Sequence, residues 1–317
     1  MRDTGLDYDS PASIRAFLEN NNLAMSRRFG QNFLVDRQVR ERIIQALDVE
    51  PGMRVWEIGP GLGAMTELIL EKGALLTAFE IDYGFVRLLE RLFSGHDNFS
   101  IVKGDMLKTW RTQTAYPDRI FGNLPYNVAF DIITDLLKRG CVPPRMVFTL
   151  QKEAARRMTA RPGGKDYSAF SVLCASVCDM RILFDIGASA FWPQPRVTSS
   201  VVQLVPKDEP VPLDRRRDFF DFVRAAFSSR RKTMCNALYL WARANFPSLE
   251  EGEFGARLQE SLRSIGFDAD IRAEVLGPEE LFLLYRRLML AGRPDEAPPR
   301  PGPAPGPAPA ATDKTSC

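Results

Sequence analysis

Asn123-Leu124-Pro125-Tyr126 is the stretch of this chain best equipped for chemistry. A side-chain amide, backbone carbonyls and an aromatic face together suit an exocyclic base amine and the ring that carries it. Such an amine is a poor nucleophile, because its lone pair is delocalised into the ring. Acceptors on both of its hydrogens favour a pyramidal nitrogen, so the contacts strengthen in the transition state. Pro125 stiffens the segment and removes a competing N–H. Asn-x-Pro also marks ordinary turns, so the tetrapeptide needs its context.

That context is an open α/β crevice. The tetrapeptide follows a strand-like run, Arg119–Gly122, and precedes a helical one, where such sheets bind ligands. Glu57-Ile58-Gly59-Pro60-Gly61-Leu62-Gly63-Ala64 likewise ends a strand and opens a helix. Its glycines let the backbone approach a ligand closely. Glu80 closes the next strand, 21 residues after Gly59, where a carboxylate accepts from both hydroxyls of a ribose. Asp105 closes the third and suits an adenine amine. The pattern also satisfies the dinucleotide fingerprint, so a nicotinamide oxidoreductase is the competing enzyme reading. Pro60 inside the loop, Gly63 directly before the helix, and an Asn123–Tyr126 stretch that supplies acceptors and a ring favour a nucleoside sulfonium cofactor instead.

The elements that must position these residues alternate. Strand patterns at 54–58, 75–81, 99–102, 119–122, 146–150, 181–186 and 200–205 are separated by helical ones. The alternation predicts an α/β fold with a Rossmann-like, doubly wound, mainly parallel sheet, its last two strands forming an antiparallel edge pair. After Pro206 the pattern becomes purely helical, predicting a small C-terminal all-helical domain. The expected units are an N-terminal extension (1–24) with one short helix, a cofactor-binding domain (25–208), a helical domain (209–291) and a disordered Pro/Ala-rich tail (292–317).

At 317 residues with a net charge of +2, the chain has no strong overall field for nucleic acid. Its basic residues are clustered, notably at Arg230-Arg231-Lys232, which either grip phosphates or form a solvated face. The five cysteines show no disulfide or metal spacing, and His96 is the single histidine, so no metal is expected. Cys174 and Cys178, four apart, are expected on one face of a helix as small core residues. With neither a signal peptide nor a membrane-length apolar run, the chain reads as cytoplasmic, with no membrane partner; a monomer is expected.

Phe29-Gly30-Gln31-Asn32-Phe33-Leu34, Glu57-Ile58-Gly59-Pro60-Gly61, Glu80-Ile81-Asp82, Gly104-Asp105, Asn123–Tyr126 and Phe191-Trp192-Pro193-Gln194-Pro195-Arg196-Val197-Thr198-Ser199 occur in this order. Together they resemble the S-adenosylmethionine-dependent rRNA adenine N6,N6-dimethyltransferases, from about Ser26 to Pro206. The resemblance implies the class I methyltransferase fold and a cofactor site of Asn32, Leu34, Gly59, Glu80, Asp105 and Asn123, with Gln31 and Gly61 as neighbours. Leu34 has a plain core alternative, and Gln31 a turn-capping one. For catalysis the resemblance points to Asn123, Leu124, Pro125 and Tyr126. Tyr126 and Phe191 would stack the target base from two sides, unless Phe191 is an apolar plug.

Two branches share this core, one acting on small-subunit and one on large-subunit RNA. Phe227–Met234 and Arg272–Leu281 resemble segments of the small-subunit (KsgA) type. That implies small-subunit rRNA and the pre-small-subunit particle as partners, and dimethylation of adjacent adenines near the RNA 3′ end. The large-subunit enzyme and a non-catalytic RNA-binding assembly factor stay open as alternatives.

Overall fold

The computed structural model describes residues 6–23, 32–125, 128–249 and 251–290. Gln31, Tyr126 and the expected tail at 292–317 lie outside them.

Ser10 starts α1 (Pro11–Asn20) by accepting from the Ser13 amide, and Pro11 suits a first turn that needs no donor. β1 (Phe33–Leu34) and α2 (Arg37–Leu47), capped by Asp36, come next. The alternating region then runs β2 (Arg54–Ile58), α3 (Ala64–Glu71), β3 (Leu75–Glu80), α4 (Tyr83–Leu92), β4 (Phe99–Lys103) and α5 (Met106–Thr109). It continues through β5 (Arg119–Asn123), α6 (Ala129–Arg139), β6 (Arg145–Gln151), α7 (Lys152–Met158) and α8 (Ala169–Ala175). β7 (Cys178–Ile186), β8 (Phe191–Trp192) and β9 (Ser199–Pro206) finish the strands. α9 (Leu213–Ala226), α10 (Met234–Asn245), α11 (Glu251–Ser264) and α12 (Pro278–Leu290) follow.

The seven-stranded sheet has the order β4-β3-β2-β5-β6-β9-β7. From β4 to β6 every pairing is parallel, whereas β9 is antiparallel to both β6 and β7. The strand order reverses between β2 and β5, which places the ends of β2, β3, β4 and β5 around one crevice. Alternate residues of the central strands point to opposite faces. Val55, Phe121 and Val147 join one apolar cluster with α2 and α3, while Trp56, Ile120 and Phe148 join another. Phe219, Phe222, Trp241 and Tyr285 of the C-terminal helices belong to that second cluster, so their packing continues the core of the sheet.

One expectation needs correction, and one pairing is new. Cys174 lies in α8 but Cys178 begins β7, so they share no helical face; both are buried, as core residues would be. The chain breaks helix at Ser176-Val177, where the Val177 amide donates to the Cys174 carbonyl and Lys207 and Val211 bond back to the Val177 and Ser176 carbonyls. The new pairing is that of β1, antiparallel with β8, joining Leu34 to Phe191 and Phe33 to Trp192. Strands of two residues are too short to show a period.

Candidate active site

The loop after β2 is held open by its own backbone. Gly59 donates to the Phe79 carbonyl and Gly63 to the Pro60 carbonyl, at 2.9 Å each. Gly59 sits at φ +70° and Gly61 at φ +57°, the left-handed region that favours glycine. A Cβ on Gly61 would come within 3.0 Å of the Phe33 ring, whereas one on Gly59 would project into open space. That space is a cavity of about 340 Å3, a size typical of small-molecule sites.

Glu80, at the end of β3, has its carboxylate anchored by the Asp82 amide (2.8 Å) and the Gly61 amide (3.2 Å). Burial pushes its carboxyl up to about 7, against the pull of those two amides. Glu57 in β2 is more deeply enclosed, at 1% exposure, and accepts from the Thr66 hydroxyl at 2.6 Å. Burial pushes it up to about 8. Asp105 caps α5 by accepting from the Leu107 amide at 3.0 Å. All three carboxyls line the cavity, and among the described residues no Lys, Arg or His joins them.

Asn123, Leu124 and Pro125 form the opposite wall. Asn123 Nδ2 donates to the Asn32 carbonyl at 2.9 Å, an arrangement that turns the amide oxygen away from that bond. Leu124, 2% exposed, tucks back over Gly122, where a Cβ would lie 2.7 Å from its Cδ2. The Pro125 carbonyl already accepts from the Val128 and Ala129 amides at 3.1 Å, opening α6. The Leu124 carbonyl has no donor among the described residues.

Of the residues singled out from the sequence, the cavity gathers Asn32, Leu34, Gly59, Gly61, Glu80, Asp105, Asn123, Leu124 and Pro125. It also gathers Tyr8 and Ile14 from the N-terminal extension, which sequence reasoning left without a role. Tyr8 donates to the Leu62 carbonyl at 3.1 Å, and burial raises its hydroxyl pKa. The apolar spacing of Ile14, Phe17 and Leu18 was the available signal for this docking face.

Phe191 is not brought to the cavity wall. Its ring is 2% exposed in the cluster that holds Leu34, Ile186 and Val201, so this conformation offers no face to a base. The expected RNA-gripping triplet is split. All three side chains are exposed, but Arg230 donates to the Lys165 and Tyr167 carbonyls and faces Glu274 at 3.5 Å, whereas Arg231 and Lys232 make no ion pair among the described residues. It is Arg230's geometry that sequence alone could not show.

The ribosomal RNA adenine dimethylase family matches residues 22–249. The chain is 45% identical to ribosomal RNA small subunit methyltransferase A of Treponema denticola, over 88% of this chain and 94% of that protein. With the protein of the same name from Borreliella burgdorferi it shares 41% identity, over 74% of this chain and 82% of the relative.

The chain belongs to the ribosomal RNA adenine dimethylase family.

As a member it is an S-adenosylmethionine-dependent rRNA adenine dimethyltransferase, and the dinucleotide reading of Gly59–Ala64 falls away. The fold agrees. A dimethyladenosine transferase from Plasmodium falciparum superposes with a TM-score of 0.68 at 22% identity, covering 81% of this chain and 97% of that one. The 23S rRNA methyltransferase ErmE gives 0.57 at 23%, covering 80% and 98%. Among the described residues, no helix is long and apolar enough to cross a membrane, and no cluster could hold a metal.

Proposed function

We propose that this dimethylase acts on small-subunit ribosomal RNA, dimethylating N6 of adjacent adenines in a loop near its 3′ end on the cytoplasmic pre-small-subunit particle. The protein acts as a monomer, with residues 25–208 as the catalytic unit and 209–291 as the RNA-recognition unit. The observation that carries the site assignment is a cavity lined by three carboxyls and, among the described residues, by no Lys, Arg or His, facing the Asn123–Pro125 wall. Carboxyls suit a cationic nucleoside and repel a pyrophosphate.

When bound, S-adenosylmethionine supplies an electrophilic methyl group on a sulfonium sulfur. Glu80 holds the ribose hydroxyls, Asp105 the adenine amine, and Gly59 and Gly61 give the backbone room. Asn32 and Leu34 close the side nearest Asn123, and Gln31 is assigned to the cofactor by the sequence resemblance alone. Asn123 Oδ1 and the Leu124 carbonyl accept the two hydrogens of the target amine. The Pro125 carbonyl, engaged in starting α6, serves the placement of the segment instead. Such placement can lower a barrier by roughly 7–11 kcal/mol. No dedicated base is needed, because an alkylated amine that still carries its proton is acidic.

Tyr126 stacks the extruded base, recovering roughly 1–3 kcal/mol of the unstacking cost. A matching role for Phe191 rests on the sequence resemblance and requires the 191–192 segment to open when RNA binds. Arg231 and Lys232 contact phosphates, with Arg230 holding their loop in place. The test is transfer of labelled methyl to small-subunit particles from a strain lacking this protein, with the RNA mapped by mass spectrometry. Two dimethyladenosines in a 3′-terminal loop are the expected result. Labelling confined to large-subunit RNA, or binding with no transfer, overturns the assignment.

A further inference from the structure

A second cavity, of about 510 Å3, lies between α6, α9 and the turn at Trp110–Thr112. Its lining holds five cationic side chains, Arg111, Lys138, Arg139, Arg217 and Arg224, against two carboxylates, Asp131 and Asp135. Part of that charge is already matched. Asp135 faces Arg139 at 2.7 Å and Arg111 at 3.4 Å, and Asp221 faces Lys138 at 3.4 Å. Arg217 and Arg224 have no ion pair among the described residues, and both are exposed. Seven positions apart on α9, they sit two turns apart on the same face, with about 10.5 Å of rise between them.

A second feature is an unsatisfied hydroxyl on the wall of the same cavity. Thr134 lines the same cavity at 2% exposure, and its Oγ1 has no hydrogen-bond partner. A buried hydroxyl without a partner is costly, and a ligand oxygen would satisfy it. Its position is equally specific. α6 separates the two cavities: Val128 and Ile132 face the cofactor side, Asp131, Thr134 and Asp135 the cationic side, and Leu107 lines both. The two spaces therefore lie about one helix diameter apart, on the order of 10 Å.

We propose that this cavity seats a backbone phosphate of the RNA substrate flanking the target adenine, with Arg217 and Arg224 gripping it and the Thr134 hydroxyl donating to it. This rests on the reading of the substrate as small-subunit RNA. A phosphate fixed there sets the register of the strand relative to Asn123. Two guanidiniums on one helix face present planar donors to a single anion.

The experiment titrates the full-length protein with unmodified small-subunit particles at several salt concentrations and, separately, with S-adenosylmethionine. For Arg217→Gln/Arg224→Gln, particle affinity at physiological salt should fall about tenfold and the log–log salt slope should shrink by about 0.7 to 1.4. Cofactor affinity should be unchanged. Lys72→Gln/Arg87→Gln, which removes the same net charge from α4 and the end of α3, should bind as the native protein does. Thr134→Val should weaken particle binding about threefold with no loss of thermal stability.

Native affinity and slope in the arginine pair, or equal weakening in the Lys72/Arg87 control, overturn the site. So does native particle affinity in Thr134→Val. Protection of the native protein, but not the arginine pair, by millimolar inorganic phosphate with unchanged particle binding would instead mark a free-anion site. Because the readout is binding, native protein that binds particles yet transfers no methyl refutes the proposed reaction and still leaves the phosphate site decided by the slopes.

Discussion

At Asn123 the decisive bond is the one that takes no part in chemistry. Nδ2 is committed to the Asn32 carbonyl, so the oxygen is the end left for a substrate amine. Asn123→Ala is expected to lower kcat by at least about 100-fold, the scale seen when one preorganised polar group is removed from an active site. Single-turnover methyl transfer checks it. Tyr126→Ala should cut transfer while sparing cofactor affinity, and equal loss of both would argue against stacking. Glu80 makes a pH prediction. Its carboxyl is ordinarily near 4.5 and is raised to about 7 in the folded protein. The folded state therefore holds a proton that the unfolded chain has lost between those values. Its contribution to stability is complete below about 4.5 and is lost as pH rises through 7, on the order of 3 kcal/mol. Ribose hydroxyls need the ionised form as acceptor, so cofactor affinity should run the other way, weakening as pH falls below 7. Calorimetric titration and thermal melts from pH 5.5 to 8.5 test both signs together; parallel trends would refute the assignment.

Segments place these residues through close backbone approach. Gly122 leaves the space into which Leu124 folds, and a methyl there would meet Leu124 Cδ2 at 2.7 Å. Gly122→Ala should cost roughly 1–3 kcal/mol of stability and displace the Leu124 carbonyl, with a fall in kcat larger than the change in cofactor affinity. Chemical denaturation and steady-state kinetics on the same preparation separate the two. The N-terminal helix α1 works on the other side of the cavity. Its Ile14 and Leu18 are buried against Phe33, Leu62 and Phe85, and the preceding Tyr8 bonds to the Leu62 carbonyl in the glycine loop. Tyr8→Phe should weaken S-adenosylmethionine binding by a few fold, since one hydrogen bond is worth about 1 kcal/mol.

The helices α9–α12 and the sheet share one apolar cluster, and polar contacts stitch the join. Arg216, 7% exposed, donates to the Val211 and Leu137 carbonyls, tying α9 to the end of α6. Arg230 ties the loop before α10 to the carbonyls of Lys165 and Tyr167. Arg230→Ala should therefore lower the melting temperature, whereas Arg231→Ala/Lys232→Ala should leave it unchanged and weaken particle binding. A melt and a salt-dependent binding titration on each variant test this division of labour.

Much of this was written in local pattern. The strands β2 to β6 and the helices between them follow from apolar periodicity, and the glycine loop, Glu80, Asp105 and Asn123 follow from strand ends, because the strand order makes those ends converge. Contacts between distant segments carry no such period. The pairing of Leu34 with Phe191, the burial of that ring and the seat of Tyr8 beside Leu62 join residues from 54 to 157 positions apart. Whether Arg230 finds two carbonyls to bond likewise depends on where the 165–167 turn arrives. Local sequence sets which groups exist and which way a strand presents them; only the packed chain fixes which of them remain free to meet a ligand.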